Sequence, residues 1–195
     1  DKPIILTLAT GETDMAANDV IGQIDFQAPD ESTGTDAILV AAGIAAIAEG
    51  DFSSSNNATK LSFKTGASEA ATEKMSSSSA GVLTVTGTVL ATTDTDTSNT
   101  GNVTLDFAAN QNFVLTLTGN TTLVNPTTEQ VGQSGFIAFI QDGTGSRTVS
   151  LGTDYETAAS AGLTLTSTAA ATDLVPYLVV AANRILLGTP QLAFS

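Results

Sequence analysis

In residues 103–195, apolar and polar side chains alternate with the spacing of two that is typical of half-buried β-strands. Residues 102–107 and 112–120 each place Val, Leu or Phe at every second position. Residues 135–141 are apolar on both faces, which predicts a central strand covered on both sides. With turn residues at regular intervals, about eight such segments predict an antiparallel sandwich or barrel. The other predicted strands are 121–126, 147–151, 162–168, 173–181 and 184–189.

Pro176 interrupts the predicted strand 173–181. Proline has no backbone N–H to donate to a ladder, so its presence predicts either an edge strand or a bulge at this position.

The first ninety residues have a less regular pattern, with predicted strands at 3–8, 21–28, 60–65 and 81–87. The alanine-rich segment 36–50 is compatible with two structures. Asp36 is a suitable N-cap and Gly50 a suitable C′ residue for a helix, and alanine is the best helix former. A strand would instead place Ile38, Val40, Ala42 and Ile44 on one face. On propensity alone we favour the helix.

A polar stretch over 91–102 has no bulky apolar residue and separates the two patterns. We therefore expect an N-terminal β module over 1–90, a polar linker or long loop over 91–102, and a C-terminal antiparallel β module over 103–195. The predicted class is all-β.

The charge balance excludes several kinds of partner. Twenty acidic and six basic residues give a net charge of −14, so the chain lacks the Lys and Arg that neutralise nucleic-acid phosphates. The same deficit argues against binding to an anionic membrane surface. Charged residues are only 13% of the chain, and the polar surface must come from Thr, Ser, Asn and Gln.

Two missing residue types restrict the possible chemistry. Without cysteine there is no thiolate nucleophile or disulfide, and without histidine there is no Ser-His-Asp triad. We expect no catalytic residue, no metal site and no cofactor. The longest apolar run, 37–48, is too short for a membrane span. Because the chain begins at Asp1 rather than Met, we expect a processed product or a fragment of a longer chain.

The loop Asp142-Gly-Thr-Gly-Ser-Arg147 is the first candidate for a binding site, because glycine-rich loops can cradle phosphate. A P-loop needs a lysine and a following helix, whereas here a predicted strand follows. We therefore predict a hairpin turn between two strands, with Gly143 or Gly145 at positive φ. Arg147 is expected to pair with a neighbouring acid or with another subunit.

Acidic residues are the second candidate. Asp94, Asp96 and Ser98 have the spacing of the first calcium ligands in an EF-hand loop, but Asn99 and Leu105 stand where Gly and Glu are needed. A solvated segment is the favoured interpretation. No pair of carboxylates has a spacing that indicates sugar hydrolysis.

Three stretches of the second module resemble a β-rich module of tailed-bacteriophage fibre and virion proteins: 103–123, 132–151 and 171–187. Their order matches that pattern, with a strand pair, a Gly-Gln-x-Gly entry, a Gln-Asp-Gly-Thr-Gly-x-Arg-Thr hairpin and an Asp-Leu-x-x-Tyr strand. Relatives often carry a Trp and a Pro-Gly-Gly after the hairpin, where this chain has residues 152–163. In the first module, residues 20–31, 37–52 and 60–85 resemble a segment found before fibre C-termini. There the middle piece is an extended strand, so the resemblance overrules the helix favoured above, and we expect a strand over 37–48.

The resemblance implies a non-enzymatic virion structural protein of the tail-fibre, head-fibre or capsid-decoration type, on the particle surface. It also implies an intertwined or side-by-side homotrimer. The implied partners are the chain itself, other capsid or tail proteins and a host surface receptor. One alternative is a receptor- or glycan-binding fibre tip, for which Tyr155 and Tyr177 are the aromatic candidates. The others are a sugar-cleaving tailspike and a bacterial surface filament protein.

Overall fold

A computed structural model describes residues 2–28 and 38–194 of the chain. They form two compact units, Asp1–Val89 and Leu90–Ser195. The expected all-β class is confirmed, because the described residues form thirteen strands and no α-helix. None of the described residues form a helix long and apolar enough to cross a membrane.

The first unit contains one antiparallel sheet, in which each strand pairs with the next along the chain. Among its described residues the strands are β1 (Val20–Gln27), β2 (Val40–Ala48), β3 (Thr59–Thr65), β4 (Thr72–Ser77) and β5 (Leu83–Val85). The predicted strands 21–28 and 60–65 correspond to β1 and β3, and 81–87 contains the short β5. Residues 3–8 lie outside the sheet, so the strand predicted there is wrong.

The alanine-rich segment is the extended strand β2, which confirms the strand implied by the resemblance, whereas the helix favoured on propensity alone is wrong. β2 lies between β1 and β3, with Ile44 opposite both Ile24 and Phe63. Ladder hydrogen bonds on both sides satisfy its backbone, and this tertiary pairing outweighs the helix preference of alanine. Asp36, the predicted N-cap, lies outside the described residues.

The described residues of the second unit form an eight-stranded sheet, in which β6 and β10 lie at the two edges. The central order is β10-β12-β11-β8-β7-β6, while β9 pairs with β7 and β13 with β11. The strands are β6 (Thr93–Thr104), β7 (Asn112–Val124), β8 (Ser134–Gln141), β9 (Val149–Leu151), β10 (Tyr155–Thr157), β11 (Thr172–Ala181), β12 (Arg184–Leu187) and β13 (Gln191–Phe194). The predicted strand 162–168 forms no strand.

The pairing in this sheet is mixed rather than antiparallel throughout. The expected antiparallel pairing holds between β8 and β11, β11 and β12, and β11 and β13. β6, β8 and β9, however, all run parallel to β7, and β10 runs parallel to β12. Alternation predicts that a strand exists but says nothing of its direction, which is set by how the connections return.

Residues 93–104 belong to the sheet of the second unit, although the sequence indicated a linker or loop over 91–102. They form β6, which pairs in parallel along β7 from Thr93 opposite Asn112 to Thr104 opposite Val124. Threonine is β-branched and suits a strand even without bulky apolar neighbours. The register shifts near Asn99, whose side-chain amide donates to the carbonyls of Asp96 and Thr116 at 3.1 Å each and replaces ladder bonds there.

Pro176 lies inside the central strand β11, and the register against β8 runs through it without a shift, so neither the predicted edge strand nor the predicted bulge occurs there. On one side of β11, β12 ends at Leu187 and β13 begins only at Gln191. Pro176 lies in the gap between them, where its carbonyl accepts a hydrogen bond from Gly188 N at 2.9 Å. The missing N–H therefore coincides with an interruption in the neighbouring strands.

The hydrophobic core lies on the inner face of the second sheet. Leu105 and Phe107 are fully buried, although they belong to the connection between β6 and β7. Phe107 packs edge-on against Phe113, with ring centroids 5.0 Å apart, and against Tyr177 at 5.2 Å. The connection therefore completes the core as it carries the chain back along the sheet.

Candidate functional site

The loop between β8 and β9 is organised around the carboxylate of Asp142. Its Oδ1 accepts hydrogen bonds from the backbone amides of Thr144 at 3.0 Å and Gly145 at 2.9 Å. The Arg147 guanidinium pairs with the same carboxylate, with Nη2 to Oδ2 at 2.8 Å. The Gln141 side chain closes the loop, because its amide accepts from Arg147 N and donates to Arg147 O. The predicted pairing of Arg147 with a neighbouring acid is confirmed.

These contacts also set the charge of the loop. The Arg147 guanidinium, helped by the amides of Gly145 and Thr144, lowers the pKa of Asp142 from 3.8 to about 2. The same pair raises the pKa of Arg147 above its ordinary value. Asp142 is therefore a fixed anion at the pH of any natural medium.

Gly145 takes the predicted positive φ, at 76°, and Ser146 follows at 61°. A Cβ on Gly145 would lie 2.5 Å from the carbonyl oxygen of Ser167, so the site requires glycine for space as well as for conformation. Ser146 N donates to this same carbonyl at 2.8 Å. The loop is thus fastened to the segment before β11.

This geometry argues against phosphate binding, because a carboxylate occupies the place an anion would need. The predicted hairpin is also wrong. β8 and β9 both run parallel to β7, one beside Phe113–Leu117 and the other beside Thr121–Leu123. The loop joins two successive strands that point the same way, and its role is structural.

The acidic stretch at Asp94, Asp96 and Ser98 lies on the edge strand β6. Asp96 Oδ1 accepts a hydrogen bond from Ser98 N at 3.0 Å, a local turn rather than a shared cation site. Within residues 2–28 and 38–194, no group of three acidic side chains is arranged to hold a metal ion.

Tyr155 and Tyr177 are buried in the core, with exposed fractions of 5% and 4%. Tyr177 donates to the carbonyl of Gln111 at 2.6 Å, and burial raises its pKa to about 12. Burial and the neighbouring Asp154 and Glu129 raise the pKa of Tyr155 as well. Neither ring is available to stack on a sugar, so the glycan-binding alternative loses both of its aromatic candidates.

Asp173 is a buried carboxylate that the sequence analysis did not single out. It accepts hydrogen bonds from Thr166 N at 2.5 Å, Thr166 Oγ1 at 2.8 Å and Ala193 N at 2.9 Å. The segment 162–168 is therefore held by a side chain instead of a backbone ladder.

The outer face of the second sheet is the feature that the sequence prediction missed. Residues 135–141 were expected to be covered on both sides. Ile137 and Phe139 are indeed buried on the inner face, but Phe136 on the outer face is 46% exposed. The register aligns it with an apolar set of side chains that we call the outer apolar face: Phe136, Ala138, Ile140, Leu174, Pro176, Leu178 and Leu186.

Residues 97–180 match one family model, described as "Putative phage tail fibre C-terminal domain". The match runs from β6 to β11 and includes the Asp142 loop and most of the core. No curated protein and no solved structure matches the chain. The family match agrees with the resemblance of the quoted segments, and it places the protein in the virion in association with other virion proteins. Residues 97–180, less than half of the chain, are thus similar to the C-terminal domain of a phage tail fibre, and this similarity supports a virion protein of the phage tail-fibre type.

Proposed function

We propose that the chain is a non-enzymatic structural part of a phage fibre that acts by homotrimer assembly and display on the particle. The family match supports the fibre role. The observation that supports self-assembly is the outer apolar face, because uncovered apolar patches of this kind mark contacts between proteins.

The charges near this face fit an interface. Arg184 and Glu156 pair at its β10–β12 edge, with Nε to Oε1 at 2.7 Å, and they leave the centre of the face free of charge. An apolar centre with a polar rim is the common arrangement of protein interfaces. The acids that give the chain its charge of −14 would then lie away from the contact.

The mass of the intact protein in solution tests this proposal. We expect light scattering to give three times the chain mass of 19.7 kDa at micromolar concentration. A stable monomer over the whole accessible concentration range would contradict assembly. Depolymerisation of host polysaccharide that a single acid-to-amide substitution abolishes would contradict the non-enzymatic role.

A further inference from the structure

The sheet of the first unit has one apolar face and one polar face. Five residues that lie directly opposite each other form a row across all five strands: Ile24, Ile44, Phe63, Met75 and Val85. The next row on this face is Gly22, Ala46, Leu61, Ser77 and Leu83. Residues directly opposite in antiparallel strands share a face, so the two rows form one surface, which we call the first apolar face.

The opposite face carries charged side chains, which cover the small residues beneath them. Lys60 and Glu73 form an ion pair at 2.8 Å, and Lys64 Nζ donates to Gln23 at 3.1 Å. The contact with Lys60 lowers the pKa of Glu73 to about 2. Ser62 beneath these side chains is fully buried. This face therefore suits water and needs no partner.

In the part of the first unit that the structure describes, the first apolar face has no such cover. Leu83 is 63% exposed, and Ile24, Leu61 and Val85 are each exposed by more than two fifths. Among the described residues of the first unit, the buried apolar side chains are the alanines Ala45 and Ala48. A sheet with so little apolar burial cannot offset the entropy of ordering its chain. The sheet must be covered whenever it is folded.

The N-terminal segment adds to the same surface. Leu8 lies against this face at Gly22. A Cβ added at Gly22 would be 2.9 Å from the Leu8 Cβ. Ile4, Ile5 and Leu6, just before it, are all at least 77% exposed. The exposed apolar side chains of this segment continue the first apolar face, and they enlarge the apolar area that a partner would bury.

We infer that the first apolar face is a contact between copies of this chain, and that its sheet is stable only in the assembly. The inference rests on the self-assembly proposed above and assigns a surface to it. No residue in the two rows is charged, so identical copies with a charge of −14 meet there without like charges in contact. In the proposed trimer, the three copies of this face would pack against one another around the threefold axis.

The area of the first apolar face is large enough for a contact between copies of the chain. Strands about 4.8 Å apart and residues about 3.3 Å apart give five strands of about seven residues a face of about 550 Å². Three copies would bury about 1,650 Å² together, above the roughly 1,000 Å² of a specific interface. The exposed N-terminal segment would add to this area.

Single cysteines test the inference, because the natural chain has none. Ile24→Cys and Leu83→Cys place a thiol on the first apolar face, at opposite edges of the sheet. Gln23→Cys and Thr84→Cys are the matched controls, one residue away on the polar face. With a short bis-maleimide, we expect at least about tenfold faster joining of copies in the first pair, since effective concentration is higher where surfaces meet.

A second variant measures stability without cross-linking. Leu83→Asp places a charge in the contact, and Thr84→Asp places it on the polar face. We expect hydrogen exchange in β2–β4 to quicken about a hundredfold in Leu83→Asp alone, because a buried unpaired charge disfavours the covered state. Amides of β8 and β11 should keep their protection in both variants and serve as the folding control.

The outcomes separate this inference from the proposed function. A multimer in which both cysteine pairs react equally, or in which Leu83→Asp behaves like Thr84→Asp, overturns the inference and leaves self-assembly intact. A wild-type monomer whose β2–β4 amides are protected overturns both. A monomer that gains this protection only with another virion protein also overturns the inference, since the partner is then not a second copy.

Discussion

At the scale of the residue, Asp142 shows how one side chain can decide what a glycine-rich loop does. Its carboxylate accepts hydrogen bonds from the amides of Thr144 and Gly145 and forms an ion pair with the guanidinium of Arg147. These are the groups that would otherwise attract a phosphate. Gly145 allows the backbone to turn, and the charged groups of Asp142 and Arg147 pair with each other.

The lowered pKa of Asp142 predicts a pH-dependent contribution to stability. A carboxylate with a pKa of 3.8 when unfolded and about 2 when folded stabilises the fold above pH 4, and this contribution disappears as the pH falls from 4 to 2. We expect Asp142→Asn to lower the thermal unfolding midpoint at pH 7, and the difference from wild type to shrink towards pH 2. Calorimetry at several pH values measures this difference.

Thr144→Ala is the control for this substitution, because Thr144 is exposed and contributes its backbone amide to the contact. Its unfolding midpoint should follow wild type at every pH. Parallel pH profiles for wild type and Asp142→Asn would show that the carboxylate adds nothing.

At the scale of the element, the short connection between β6 and β7 acts as part of the core. It contributes Leu105 and Phe107, both about 1% exposed, beneath the strands that it joins. Parallel neighbours need a returning connection, and here the return itself supplies the apolar cover.

Truncation of Phe107 tests that role. We expect Phe107→Ala to lower the free energy of unfolding of the second unit by about 3–5 kcal/mol, because it removes the ring contacts with Phe113 and Tyr177 and leaves a cavity. Phe107→Leu keeps most of the volume and should cost below about 1.5 kcal/mol. Urea unfolding followed by tyrosine fluorescence measures both. Equal effects below about 1 kcal/mol would mean that the connection is not part of the core.

At the scale of the whole molecule, each unit has an apolar surface with exposed side chains among its described residues, the outer apolar face and the first apolar face. Each also carries ion pairs beside that surface or opposite it, such as Lys60 with Glu73 and Arg184 with Glu156. These two surfaces are the ones that the proposed assembly would bury.

The charge of −14 predicts how assembly responds to salt. Copies of like charge repel each other, and salt screens this repulsion, so apolar self-association should tighten as NaCl rises from about 10 mM to about 500 mM. Sedimentation at several salt concentrations measures the dissociation constant, with glucose at equal osmolality as the control. Weaker association at high salt would instead indicate contacts made by ion pairs.

Local sequence was sufficient for several features of this protein. Alternation in 112–120 and the doubly apolar 135–141 predicted strands that exist as β7 and β8, because side-chain spacing is a local property. The contacts of Arg147 and the positive φ of Gly145 were also predictable, because they arise within six residues. The absence of thiol and imidazole groups follows from composition alone.

The tertiary structure alone decided the rest, because pairing joins residues distant in sequence. Pairing with β1 and β3 on its two sides makes the alanine-rich β2 a strand, although its residues favour a helix. The connections make β6 and β8 parallel to β7. The tertiary structure also buried Tyr155 and Tyr177, the two tyrosines that the sequence offered as candidates for contact with a glycan. Only the register of five strands aligned Ile24, Ile44, Phe63, Met75 and Val85 in one row, and a surface of this kind cannot be seen from any one segment.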